Sequence, residues 1–250
     1  MDVVFPRAAV LAMELAAARA WPPGHIAAID GWQVRTSGGR GRRANSVLPL
    51  AYTGRDLDAT IDNVERHYRG RGLKSYFQLS SLAAPDGLDE RLAARGYTCE
   101  EPTLLLAKPL SAAPMPDAAE VLDEPSPEWM AIFTAPLAGG RAAEVPEILA
   151  RVPAPRAYFL LRRDDVALAT ALAVLSPEGI AVVECVATRA ERRRSGAAHA
   201  VMDALEAWAV AQGATVAALQ VTEGNTAARA LYTGRGYGAA SRYHYRWRQV

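Results

Sequence analysis

Three clusters in this 250-residue sequence have residue types and spacings that could do chemistry. The first is Arg192-Arg193-Arg194-Ser195-Gly196-Ala197-Ala198, three cations beside very small residues, just before an apolar helical run expected over about Ser195 to Gln212. The amides of a helix's first turn have no intrahelical partners, and the helix dipole adds partial positive charge there. Gly196 and Ala198 leave room for a bulky anion and the arginines add charge, so the stretch reads as a pyrophosphate cradle. Taken alone, it equally describes a surface arginine cluster; it matches neither the Gly-Lys-Ser/Thr phosphate loop nor GxGxxG. The second cluster is Asn225, Ala228 and Tyr232, spaced i, i+3, i+7 on one helical face that could serve one ligand. By themselves, Asn225 is an N-cap for a helix beginning at Thr226 and Tyr232 a packing residue. The third is Glu184, a carboxylate inside the apolar run "IAVVECVA", where strand alternation groups it with Val182, Val186 and Thr188.

The elements that must hold these residues follow from local pattern. The β-branched run after Ser176-Pro177-Glu178-Gly179 reads as a buried central strand leading into the arginine loop. "VERHYRGRGLKSYFQLSS" from Val64 and "LEAWAVAQGATVAALQVTE" from Leu205 both read as a helix end, a glycine stop at Gly72 or Gly213, and a strand centred on Gln78 or Gln220. "LDERLAARGY" and "TAARALYTGRGY" then mirror each other up to Tyr97 and Tyr237, so the same plan is expected twice. Between the copies, prolines at 109, 114, 116, 125 and 127 mark a linker over 111–127, separating a first half, 1–110, from a second, 128–250. The first half has no counterpart of the arginine-glycine loop, only Gly54 and Arg55 before an acidic helix start, and is not expected to hold a pyrophosphate. Its "DGWQVR" and "RRANSVLP" segments, with Trp32, Arg35 and Asn45, are read as acceptor pocket, interface or packing, and "TSGGRGRR" from Thr36 as a basic hairpin turn.

Composition sets the boundaries. Half the residues are hydrophobic, enough for a full core, and 28 basic against 27 acidic residues leave a formal charge of +1, with no global field for nucleic acid or anionic lipid. The run Ala8–Ala20 carries Glu14 and Arg19, which suits an amphipathic helix rather than a signal or a membrane span. Cys99 and Cys185 form no CxxC and are read as free thiols in a reducing cytoplasm, and four scattered histidines suggest no metal site. His199, inside the first turns of a helix, is given no role.

The second half resembles the GNAT N-acetyltransferase superfamily. The resemblance rests on Arg193-x-x-Gly196-x-Ala198, which is similar to the family's acetyl-CoA loop R/Q-x-x-G-x-G/A, on the strand "VECVAT" before it, and on "NTAARALYTGRGY", which looks like N-x-x-A-x-x-L-Y-x-x-x-G-F/Y. It departs at Ala190, Ala198 and Gly234-Arg235, none of which removes a reacting group. The resemblance implies an α/β fold of two GNAT-like halves, each a mixed, mostly antiparallel sheet flanked by helices, with the first half degenerate. It implies that the backbone of Val186, Ala187 and Thr188 binds the pantetheine arm like an added strand. Arg193, Arg194, Ser195, Gly196, Ala197 and Ala198 would hold the pyrophosphate, and Asn225, Ala228 and Tyr232 would line the cofactor. The expected reaction is direct acetyl transfer from acetyl-CoA, without metal, to a primary amine of a small molecule or peptide in a ternary complex. Tyr232 would protonate the departing thiolate and Glu184 would take the amine's proton, the alternative for Glu184 being a partner for an arginine or a neighbouring polar group. The competing readings are a non-catalytic acyl-CoA-binding module and transfer of a longer acyl group.

Overall fold

The computed structural model describes residues 5–39, 41–112, 119–137 and 140–250, and only the backbone of Glu101. Helix α1 (Arg7–Ala20) leads into the hairpin of β1 (His25–Ile29) and β2 (Trp32–Thr36). The basic stretch after Thr36 turns the chain, through a 3-10 turn at Arg42–Ala44, into β3 (Val47–Leu48), which pairs antiparallel with β2. Next come α2 (Leu57–Arg69), β4 (Ser75–Ser80), α3 (Leu88–Ala94) and β5 (Thr98–Pro109). β6 (Ala119–Leu122), α4 (Pro127–Thr134), α5 (Arg141–Leu149), β7 (Arg156–Arg163), β8 (Val166–Leu175) and β9 (Ile180–Thr188) follow. The last four elements are α6 (Ala197–Ala211), β10 (Val216–Thr222), α7 (Thr226–Gly234) and β11 (Gly238–Arg248). Of the stretch 111–127, residues 119–122 form the edge strand β6 against β7, while Pro114 and Pro116 lie outside the described residues.

The fold is mixed α/β and mostly antiparallel: among the described strands, only β3 with β4 and β9 with β10 pair in parallel. Where two separate sheets were expected, the strands form one, in the order β1-β2-β3-β4-β11-β5-β10-β9-β8-β7-β6. The halves exchange their last strands: β5, from the first, lies beside β10, and β11, from the second, lies beside β4. Sequence reading defaults to pairing a strand with its nearest predecessor. Here each short helix, α3 or α7, instead carries the chain across to the other half.

The repeated plan is visible in its ion pairs as well as its elements. Tyr97 donates to Glu65 on α2 at 3.1 Å, and Tyr237 donates to Glu206 on α6 at 3.0 Å, at matching offsets (206 − 65 = 141; 237 − 97 = 140). Arg95 pairs with Asp62 and Glu65, and Arg235 with Asp203 and Glu206. Gly96 and Gly236, both at positive φ, make the turn between helix and tyrosine in each copy.

Strands β7, β8 and β9 read as near-continuous apolar runs because both sheet faces are covered. Met13, Ala16 and Ala17 of α1, Trp129 of α4 and Val145 and Leu149 of α5 pack on the face that carries Tyr158, Leu172 and Val182. Val201, Met202 and Leu205 of α6 pack on the opposite face, against Phe159, Ala171 and Val183, each contributing roughly 1.5–3 kcal/mol by burial. Trp32 proves to be packing: it is fully buried against Phe77, and its indole N–H donates to the Ala84 carbonyl at 2.8 Å. Glu14 is not on a solvent-facing stripe of α1. It is buried, accepting from Ser80 of β4 and Ser241 of β11 at 2.9 Å each, so it ties the helix to the exchanged strand pair.

Candidate active site

β9 and β10 run parallel from Ile180 and Val216 only as far as Val183 and Leu219. Beyond that point β9 continues to Thr188 paired with β8 alone, and β10 continues to Thr222 paired with β5. The two strands splay, and a cavity of about 650 Å³ opens between them, bounded below by α7 and on its far side by the first half. Such a splay leaves backbone N–H and C=O groups of β9 without a ladder partner on the cleft side, a ready edge for an extended ligand.

The splay begins at a β-bulge. Thr170 pairs with Ala187 and Leu172 with Glu184, so three steps on β9 match two on β8, and Cys185 sits at φ 55. A non-glycine residue in that region costs on the order of 1–3 kcal/mol, and such strain concentrates at functional sites. The bulge also corrects the alternation expected from sequence. Val182 and Cys185 face α1 and α4, whereas Val183 and Val186 face α6, so Val186 does not share a face with Val182 as uninterrupted pleating would require.

Five of the residues singled out in the sequence line this cavity: Glu184, Val186, Asn225, Ala228 and Tyr232. Asn225 caps α7, its side-chain oxygen accepting from the Ala228 amide at 3.2 Å. Tyr232 is buried with its ring edge-to-face on Tyr237, centroids 5.9 Å apart. Among the described residues none hydrogen-bonds the Tyr232 hydroxyl. Burial, and after it the Glu184 charge, push that hydroxyl well above its ordinary pKa and keep it protonated. Thr188 and Arg193 instead line a second cavity, about 250 Å³, against Ala131, Ile132 and Ala135, while Ala187 packs into the core beneath α1 and α4. Arg194, Ser195, Gly196, Ala197 and Ala198 line neither cavity.

The arginine loop stands just past the end of β9. Arg194 and Gly196 both take left-handed conformations, φ 60 and 79, which turn the chain sharply into α6 with Gly196 at the N-cap. Ser195 is clamped: its hydroxyl donates to the Arg192 carbonyl at 2.6 Å, and its own carbonyl accepts from Arg163 at 3.0 Å. No side chain caps α6, so its first-turn amides stay open to a ligand. The counterpart in the first half is closed, because Asp56 at the N-cap of α2 accepts from the amides of Asp58 and Ala59 at 3.0 and 3.1 Å.

Sequence reasoning gave "RRANSVLP" a place in pocket, interface or packing and allowed Glu184 an arginine partner, but did not join the two. Arg43, from the basic turn after β2, reaches across to Glu184 with both terminal nitrogens, a bidentate pair in which Glu184 is only 8% exposed. Arg43 also stacks over Trp21 at 5.3 Å. Asn45 fixes the turn that presents it, donating to the Gly39 and Gly41 carbonyls at 3.2 and 2.9 Å. Tyr76, Tyr243 and Tyr245 complete that wall of the cleft. The one available signal was Glu184 itself, since a carboxylate buried in an apolar strand requires a cation.

Residues 7–248 match the family described as "Probable histone acetyltransferase Rv0428c C-terminal". The uncharacterized N-acetyltransferase YobR of Bacillus subtilis is 31% identical over 249 residues, which cover 94% of this chain and 96% of that protein. Probable histone acetyltransferase Rv0428c of Mycobacterium tuberculosis is 29% identical over 220 residues, 86% of this chain and 66% of that protein. Among solved structures, a GCN5-related N-acetyltransferase from Kribbella flavida is similar with a TM-score of 0.68 at 19% identity, covering 96% of both chains. A tandem GNAT protein from the clavulanic acid biosynthesis pathway gives 0.64 at 10% identity, covering 100% of this chain and 97% of that one. With its family matched over nearly all its length and a fold shared with GNAT enzymes, the chain belongs to the GNAT N-acetyltransferases, in the family of the Rv0428c C-terminal region.

Proposed function

We propose that the protein binds acetyl-CoA in the second half and transfers the acetyl group directly to the primary amine of a small-molecule or peptide acceptor held in the same cleft. The observation that carries this reading is the Tyr232 hydroxyl, which no described residue bonds, on a tyrosine that lines the cavity at the β9–β10 splay. The donor's fit rests on two features of the chain. β9 beyond Val183 has a free edge on which the backbone of Val186, Ala187 and Thr188 would hold the pantetheine arm. A Cβ built on Gly196 would meet no heavy atom within 4 Å, so the space over the open helix start is free for the pyrophosphate, with Arg193, Arg194, Ser195, Ala197 and Ala198 around it. Asn225 and Ala228 would border the same ligand from α7. We take 1–110 and 128–250 as the two repeat units joined by 111–127, and the free thiols of Cys99 and Cys185 as suited to a reducing cytoplasm.

In the reaction, the amine nitrogen attacks the thioester carbonyl, a C–N bond forms, the C–S bond breaks, and the sulfur leaves as a thiolate that takes a proton from Tyr232. The proton lost by the amine passes to solvent through Glu184, which the bidentate contact with Arg43 orients. Positioning and carbonyl polarisation by the β9 amides supply the rest of the barrier reduction. Direct transfer is favoured over an acetyl-cysteine route by Cys185, whose thiol is pushed well up by burial and next by the Glu184 charge, and so is not a thiolate nucleophile. The test is a screen of amines, aminoglycosides, amino acids and peptides with acetyl-CoA, reading free thiol. CoA binding without acceptor-dependent thiol release by any amine would leave a binding module instead.

Two further outcomes are expected. Gly196→Val should weaken CoA binding about 10-fold or more in calorimetric titration, because a β-branched residue both strains at φ 79 and screens the amides. Unchanged affinity would remove the pyrophosphate assignment. Native mass spectrometry should count one CoA per chain, since Asp56 occupies the corresponding amides of the first half; two equivalent sites would contradict this.

A further inference from the structure

Among the described residues, the wall that the first half contributes presents two arginines to the cavity. Arg42 is paired with Glu100 and Arg43 with Glu184, and each guanidinium stacks on an aromatic ring, Tyr245 or Trp21. Behind them lies Arg35, 1% exposed, and its hydrogen bonds go to neutral groups: the Ser46 carbonyl at 3.0 Å, the Ser46 hydroxyl at 2.7 Å and the Gln78 side-chain oxygen at 2.9 Å. Among the described residues no carboxylate lies within ion-pair distance of Arg35. Burial pulls its guanidinium below the usual value, and the neighbouring Arg43 charge adds to that pull. A buried cation without a counter-charge is costly, and the cost falls when an anion enters nearby.

We infer that the acceptor is an amino carboxylate, an amine with a carboxylate a few bonds away, whose carboxylate is seated by Arg43 on the first-half wall of the cleft. This rests on the acetyltransfer reading above. A guanidinium has five N–H donors, and Arg43 spends two on Glu184; it makes no other hydrogen bond among the described residues, although it lines the cavity. The fork that remains matches a carboxylate. Glu184 stands on β9 where the donor edge begins, so a carboxylate on Arg43 is only a few bonds from the amine that must reach the thioester. The charge balance also suits the reacting species. With its amine deprotonated, an amino carboxylate carries one negative charge, which offsets the unmatched Arg35.

The experiment titrates CoA-saturated protein with glycine, β-alanine, 4-aminobutyrate and 5-aminovalerate, each against its own carboxamide, by calorimetry and by thiol release from acetyl-CoA. At least one acid should bind about 10-fold tighter than its amide. Arg43→Gln should erase that difference and Arg43→Lys should keep part of it. Because the wild-type pairs decide the question, a poorly folding variant does not weaken the test. Equal binding within every pair, binding by none of them, or a preference that survives in folded Arg43→Gln overturns the inference. Acceptor-dependent thiol release without any carboxylate preference sinks this inference alone, whereas failure to bind CoA sinks the acetyltransfer reading beneath it.

Discussion

Tyr232→Phe is expected to lower kcat by about 10²-fold, equivalent to about 2.7 kcal/mol of barrier, with CoA affinity and folding unchanged. The ring's edge-to-face contact with Tyr237 survives the substitution. The lost hydroxyl leaves no protein group unsatisfied, since none among the described residues bonds it. What disappears is a proton donor held protonated across any assay range by burial and by the Glu184 charge. The deficit should shrink at low pH, where solvent acid protonates the leaving thiolate. Glu184→Gln should show the opposite profile, worst at low and neutral pH and recovering as rising pH supplies free amine. A common structural defect would not split the two profiles. Full turnover by Tyr232→Phe, with chemistry shown to be rate-limiting, would return the residue to a packing role.

The second large effect concerns stability. Arg43→Ala should cost about 3 kcal/mol, because it strands Glu184 as a buried, unpaired carboxylate. For a chain of this size that lowers Tm by roughly 6–12 °C. Adding Glu184→Gln should restore most of the loss, since the amide needs no counter-charge. Thermal unfolding of the two single variants and the double one measures the coupling. Additive losses would mean that the cross-half pair contributes little.

These two predictions also divide what the sequence could reveal from what it hid. Asn225, Ala228 and Tyr232 share a surface because helical spacing dictates it, and the structure places all three on one cavity. The open start of α6 follows from the absence of a capping side chain at Gly196, and the blocked start of α2 from Asp56, both visible as residue types. The twofold plan was legible in its Arg-Gly-Tyr turns. Arg43 was not, because its partner lies 141 positions away and nothing in a hairpin turn indicates where its side chains point. The bulge at Cys185 was hidden too: glycine would have flagged a positive φ, and a cysteine does not. The strand exchange was beyond local pattern, since β5 and β11 have the same residue character whichever half they join.

That exchange sets the order in which the molecule can be completed. β4 has β11 as its neighbour on one side, with Ser75 opposite Arg248 and Ser80 opposite Tyr243. During synthesis, the first half therefore emerges with the inner edge of its sheet bare, and the partner strand appears only some 160 residues later (243 − 80 = 163), roughly 10–30 s at ordinary elongation rates. Exposed edges of apolar strands are templates for pairing with other chains. The closing step joins segments far apart in sequence, which places this fold among those whose folding is slow for their size. The seam that brings Arg43 to Glu184 is thus assembled last, so the nascent chain acquires this candidate cleft and the closure of its sheet in a single late event.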